Sequence, residues 1–158
     1  MLGRRNKAEE WDGSERRLPP VVLVVNDDED ACEMLVRMVG ARGFRTMGAT
    51  SADEATGRLV TELPRCIVLD LEEGGIGTNL KVLDLIRSHR DKRVNTARVL
   101  LCAATAKNRS FSFQSGADGV VVRPFHIDEL VAEIADVVDR PDEERARHRR
   151  DELSRLGD

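Results

Sequence analysis

Residues 21–30 read Val21-Val22-Leu23-Val24-Val25-Asn26-Asp27-Asp28-Glu29-Asp30. The first five are a continuous apolar run, mostly β-branched, the pattern of a strand covered on both faces. Strands of that kind belong to parallel sheets, whose crossover connections are usually helices. The run ends abruptly in acids. Ligands of open parallel sheets bind outside the carboxyl ends of strands, so this junction is the first place to look for a site.

Working outward, apolar runs alternate with helical patterns. Asp30 to Ala41 places Ala31, Met34, Leu35, Met38 and Val39 on one helical face, and Gly40 or Gly43 ends it. Phe44 to Met47 is a short second strand. Ser51 caps a helix through Thr61, with Glu54 completing a capping box. Ile67 to Leu69 is a third strand and Leu80 to Ser88 a helix. Ala97 to Cys102, a short helix over Asn108 to Gln114, and Gly119 to Val122 follow. Ile127 to Val138 closes the pattern with Leu130, Val131, Ile134, Val137 and Val138 inward. Five β-α units predict an α/β fold: a doubly wound, five-stranded parallel sheet with right-handed crossovers. The flavodoxin-like strand order 2-1-3-4-5 is the expected arrangement.

The flanks differ from this middle. Residues 1–18 hold little to bury and read as a disordered tail ending at Pro19-Pro20, with Trp11 isolated inside it. Residues 139–158 read as a charged tail whose 145–150 run, RARHRR, is flanked by acids and suits a solvated helical face. The folded unit is expected over residues 19–138. The whole chain of 158 residues carries a net charge of −4 and only five aromatic residues (four Phe, one Trp), which argues against a nucleic-acid surface. No apolar run approaches a membrane span, and residues 1–17 carry no secretory signal, so the expected location is the cytoplasm. Cys32, Cys66 and Cys102 are far apart and odd in number, as buried apolar cysteines would be. His89, His126 and His148 lack ligand spacing and read as surface residues.

In the 2-1-3-4-5 order the first and third strands are neighbours. Asp27 and Asp70 then converge at one sheet edge. Carboxylates crowded together must take up protons or bind a cation, and oxygen ligands with waters suit Mg²⁺. A carboxylate beside Mg²⁺ is also a competent nucleophile toward a phosphoryl group. Asp28 and Asp30 are explained as caps and first-turn acids of the helix that follows. Asp70 is not, because a Gly-rich loop follows it. Arg123, held out of the α region by Pro124, brings a cation to the same edge.

The acidic turn in VVLVVNDDED, the lone acid in CIVLDL and the segment GADGVVVRPF occur in an order and spacing that resemble the receiver domain of two-component response regulators, the CheY-like family, across residues 21–138. The resemblance implies a phosphorelay protein that is not an enzyme. It implies phosphorylation of Asp70 by a histidine kinase or phosphotransfer protein, with Mg²⁺ bound by Asp27, Asp70 and the backbone carbonyl of Glu72. It also implies an output protein bound through the face of strands four and five, with no further output domain after Val138.

Several positions depart from that family's pattern. Asn26 stands where the first of two acids is usual, which weakens Mg²⁺ binding. Ala103 replaces a hydroxyl residue and cannot hydrogen-bond a phosphoryl oxygen. Arg123 replaces Lys with a forked, bulkier cation. Val120 replaces an aromatic switch residue. Glu72-Glu73 adds two carboxylates that would repel an anionic phosphodonor. Two functions therefore stand side by side: a single-domain, phosphorylated receiver, or a pseudo-receiver that binds proteins without phosphorylation.

Overall fold

The structure, a computed structural model, describes residues 19–73 and 76–157. The expectations for residues 1–18, including Trp11, and for Gly74 and Gly75 lie outside these. The elements are β1 (Val21–Val25), α1 (Glu29–Gly40), β2 (Arg45–Ala49), α2 (Ala52–Glu62), β3 (Cys66–Leu69), α3 (Ile76–Arg87) and α4 (Lys92–Asn95). They continue as β4 (Val99–Ala103), α5 (Arg109–Gln114, after a 3-10 turn at Ala106–Asn108), β5 (Gly119–Val122), α6 (Ile127–Asp139) and α7 (Asp142–Gly157). The sheet order is β2-β1-β3-β4-β5 and every pairing is parallel, the flavodoxin-like arrangement expected from the sequence.

Two-residue periodicity sorts the strand side chains into two cores. Leu23, Val25, Ile67, Leu69, Val99 and Leu101 face one layer; Val22, Val24, Cys66, Val68, Leu100 and Cys102 face the other. All three cysteines are free and buried. Burial pushes the Cys66 and Cys102 thiols far up, so neither is a ready nucleophile.

Ser51 caps α2 and accepts from the Glu54 backbone N–H at 3.1 Å. The Glu54 carboxylate reaches back to the N–H of Thr50, one residue before the cap. In α1 the inward stripe differs from the expected one. Cys32 and Val39 are buried, with Leu35 and Val36 packed against the core, while Met34 is 53% exposed and Met38 also faces outward. The Cys32–Val39 repeat is itself a helical face, and it won because Cys32 seats against the carbonyls of Val24 and Ala49. There Gly48 leaves the space that a Cβ, 2.8 Å from the Cys32 sulfur, would remove.

The end of the chain departs most from expectation. Residues 142–157 form a helix that is solvated on one face and docked on the other. It packs on α5, with Leu153 against the core and the His148 ring edge-on to Phe113 at 6.1 Å. Arg145 and Arg149, read from sequence as a solvated face, converge on Asp118, which is only 2% exposed. The carboxylate of Asp118 also accepts from Arg87 and from the backbone N–H of Val99. A buried carboxylate demands such partners, and the sequence pattern of α7 alone does not disclose that one is waiting. In the GADG stretch, Gly116 takes φ +103, and a Cβ there would also press on the Arg87 side chain.

Candidate functional site

Register builds the site. Val25 pairs with Leu69, so the next residues, Asn26 and Asp70, emerge side by side; the Asp70 N–H donates to the Val25 carbonyl at 2.8 Å. Ala103 pairs with Val122, and the Arg123 N–H donates to the Ala103 carbonyl at 2.8 Å. The ends of β1, β3, β4 and β5 therefore form one shelf.

Asp70 is 3% exposed, and both of its carboxylate oxygens are engaged. Arg123 contacts Oδ1 with its guanidinium. Asn26 donates from Nδ2 to Oδ2 at 3.0 Å, and toward Glu72 at 3.4 Å. Burial draws the Arg123 guanidinium below its ordinary value, opposed by the charge of Asp27, yet a guanidinium retains its proton at any physiological pH. The Asp27 carboxylate does not turn to Asp70. It accepts from the backbone N–H groups of Glu72 (3.1 Å) and Glu73 (2.8 Å) and so pins the loop after β3. Asp28 is the N-cap of α1, accepting from Ala31 at 3.0 Å. Ala103 is buried on the shelf and presents only a methyl group. Val120 lies in the core, and its side chain contributes packing alone.

Two residues that organise the two ends of the sheet, Asn79 at the shelf and Asp118 at the start of β4, are not singled out by sequence. The first, Asn79, is buried on α3, which begins at Ile76 rather than at the expected Leu80. It accepts from the Leu71 N–H at 2.9 Å and donates to the Cys102 carbonyl at 3.3 Å, tying the loop after Asp70 to β4. Its only signal is a lone amide ahead of an apolar run, which propensity reads as a turn. Asp118 is the second: its motif is visible in the sequence, its role is not. A cleft of about 1550 Å³ opens at the opposite end of the sheet, beside Arg45, Arg65, Arg98 and Asp142. The guanidiniums of Arg45, Arg65 and Arg98 are bonded to backbone carbonyls there.

The family model for the response regulator receiver domain matches residues 22–135. The chain belongs to that family. The receiver is 33% identical over 119 residues to the transcriptional regulatory protein PrrA of Mycobacterium tuberculosis, covering 73% of this chain and 48% of PrrA. It is 29% identical over 119 residues to the phosphate regulon transcriptional regulatory protein PhoB of Klebsiella pneumoniae, covering 75% and 52%. It spans about half the length of the curated relatives it matches. Among solved structures, a Thermotoga maritima response regulator in complex with Mg²⁺-BeF is similar at TM-score 0.62 and 28% identity, covering 75% of this chain and 98% of that one. A Francisella receiver domain is similar at TM-score 0.65 and 24% identity, covering 77% and 98%. Receiver domains of two-component systems are signalling modules rather than catalysts, and they generally bind Mg²⁺.

The residues of this receiver do not fit Mg²⁺ as they stand. Divalent magnesium wants oxygen donors. Here the side of Asp70 facing Asn26 meets amide hydrogens, the other oxygen meets a guanidinium, and both Asp27 oxygens are held by backbone N–H groups. Among the described residues no group of three or more acidic, His or Cys side chains is placed to hold a metal ion. No helix among them is long and apolar enough to cross a membrane.

Proposed function

We propose that this chain is a receiver module of two-component signalling that works by binding partner proteins with Asp70 kept ion-paired, rather than by cycling a phosphoryl group. The carrying observation is the double engagement of Asp70 by Arg123 and Asn26. Two further features support it. Ala103 offers no hydrogen bond to an incoming phosphoryl oxygen, and Val120 has no ring to reorient. A ligand shifts a two-state equilibrium only by its differential affinity for the two states, and these positions remove two sources of that difference.

The partner is an output protein, and the face of β4, β5 and their helices is the surface proposed for it. On that side α5 is overlain by α7, so the partner would meet a composite of the two helices. Kinase or phosphotransfer contact belongs to the second reading, in which Asp70 accepts a phosphoryl group. One observation favours that reading: Asp70 stands at the carboxyl end of β3 with a cation within contact, where a phosphoryl group would need one.

Intact-mass measurement after incubation with a small phosphodonor and Mg²⁺ decides between them. The expected result is an unmodified mass. A phosphoryl adduct that Asp70→Asn abolishes would overturn the proposal in favour of the phosphoacceptor.

A further inference from the structure

The orientation of Asn26 is fixed by its own turn. Its Oδ1 accepts from the Asp28 N–H at 2.8 Å, which leaves Nδ2 no choice but to face Asp70 and Glu72. The residue is 1% exposed, so its side chain does not turn without giving up that bond in a dry site. On the other side of Asp70 stands a guanidinium, the cation best suited to a partly buried ion pair because it is weakly hydrated and keeps its charge.

We infer that Arg123 is the resident cation of this shelf, neutralising Asp70 where a divalent metal ion would otherwise do so, with Asn26 as the second donor that excludes the metal. This rests on the reading of the chain as a receiver with Asp70 kept paired. Its content is specific: the site discriminates against Mg²⁺ by presenting hydrogens where the metal needs oxygens. Nothing in the turn prevents a carboxylate at position 26. In the Asn26→Asp variant one carboxylate oxygen would still accept from the Asp28 N–H, and the other would turn toward Asp70. It is one atom exchange, from nitrogen to oxygen, that separates a metal-excluding shelf from a metal-binding one.

The test is an amide NMR titration of the full chain with MgCl₂ at constant ionic strength, repeated with trace Mn²⁺ to read paramagnetic broadening. In the wild type the amides of Asp27, Asp70, Leu71 and Glu72 are expected to show no saturable shift and no selective broadening at millimolar metal. Asn26→Asp and Arg123→Gln are each expected to gain at least about tenfold in Mg²⁺ affinity, because each removes a donor or a cation from the metal's position. Arg123→Gln also strips a buried carboxylate of its partner, so Asn26→Asp, which keeps the ion pair, carries the test if the other variant unfolds. Saturable wild-type binding centred on Asp70, or a folded Asn26→Asp with no gain, overturns the inference. The two failures are distinguishable: wild-type metal binding with an unmodified mass sinks this inference alone, whereas a phosphoryl adduct formed without metal binding sinks the functional proposal alone.

Discussion

Replacing Asp118 by Ala is expected to cost about 3–5 kcal/mol, the range for removing one member of a buried ion pair. The structure shows where that cost arises. One carboxylate, 2% exposed, serves Arg145 at 2.7 Å, Arg87 at 3.1 Å, Arg149 at 3.5 Å and the Val99 N–H at 2.9 Å. Without it the Val99 N–H is left buried and unpaired at the start of β4, which by itself costs roughly 1–3 kcal/mol. Arg145 and Arg149 are partly exposed and regain water when released, so the charge contribution falls at the lower end of its range. Asp118→Asn retains an acceptor for Val99 and loses only the charge, so it should cost about half as much, near ~2 kcal/mol. The assay is thermal and urea denaturation, with a midpoint about 10 °C lower for the Ala variant at the usual ~2–4 °C per kcal/mol for this size. Amide exchange in residues 142–157 should rise together with that loss. A double-mutant cycle with Arg145→Ala should show coupling of about 0.5–3 kcal/mol. A cost below about 1 kcal/mol, with α7 still protected, would refute the assignment of Asp118 as the anchor of that helix.

Other outcomes follow from the same contacts. Asn79→Ala should lower stability by about 1–3 kcal/mol by orphaning the Leu71 N–H, and hydrogen exchange should rise first at Leu71 and Glu72. Burial, aided by Arg140, holds His148 below the ordinary His range, so the unfolded chain takes up its proton first as the pH falls. The His148 contribution should therefore be intact above pH ~6.5 and decline below it, seen as earlier fraying of α7, and His148→Gln should flatten that dependence. In an Asn26→Asp background, where the shelf is expected to admit Mg²⁺, adding Ala103→Thr restores a hydroxyl; a phosphoryl mimic should then shift β4 and β5 amides more than with Asn26→Asp alone, one charge-assisted hydrogen bond being worth roughly 1.5–3 kcal/mol. Equal shifts in both proteins would remove Ala103 from the account of weak coupling.

The sheet is legible because burial on both faces leaves a continuous apolar signature, and each of the three central strands carries one. The meeting of Asp70 and Arg123 follows from strand order, but strand order points to Asp27 as the third member, where the structure puts Asn26 on Asp70 and Asp27 on the loop N–H groups. What the sequence conceals are contacts whose other half lies far along the chain. Nothing local distinguishes Arg145 and Arg149 from solvated arginines, because the distinguishing feature is a buried acid at position 118. The Met34 and Met38 face of α1 looks as apolar as the Cys32–Val39 face, and only packing against Val24 and Ala49 decides between them. The direction of the Asn26 amide is equally hidden, since it depends on a bond to a backbone N–H two residues on.

The docking of α7 also bears on how the chain is made. The last strand of the sheet ends at Val122, but the arginines that share Asp118 follow at positions 145 and 149. At ~5–20 residues per second they are added on the order of seconds after Val122. Throughout that interval Arg87 alone of those three cations stands against Asp118, and Phe113 lacks the ring that packs on it. A receiver without residues 145–157 is thus a looser species, open to proteolysis along the edge that α7 covers.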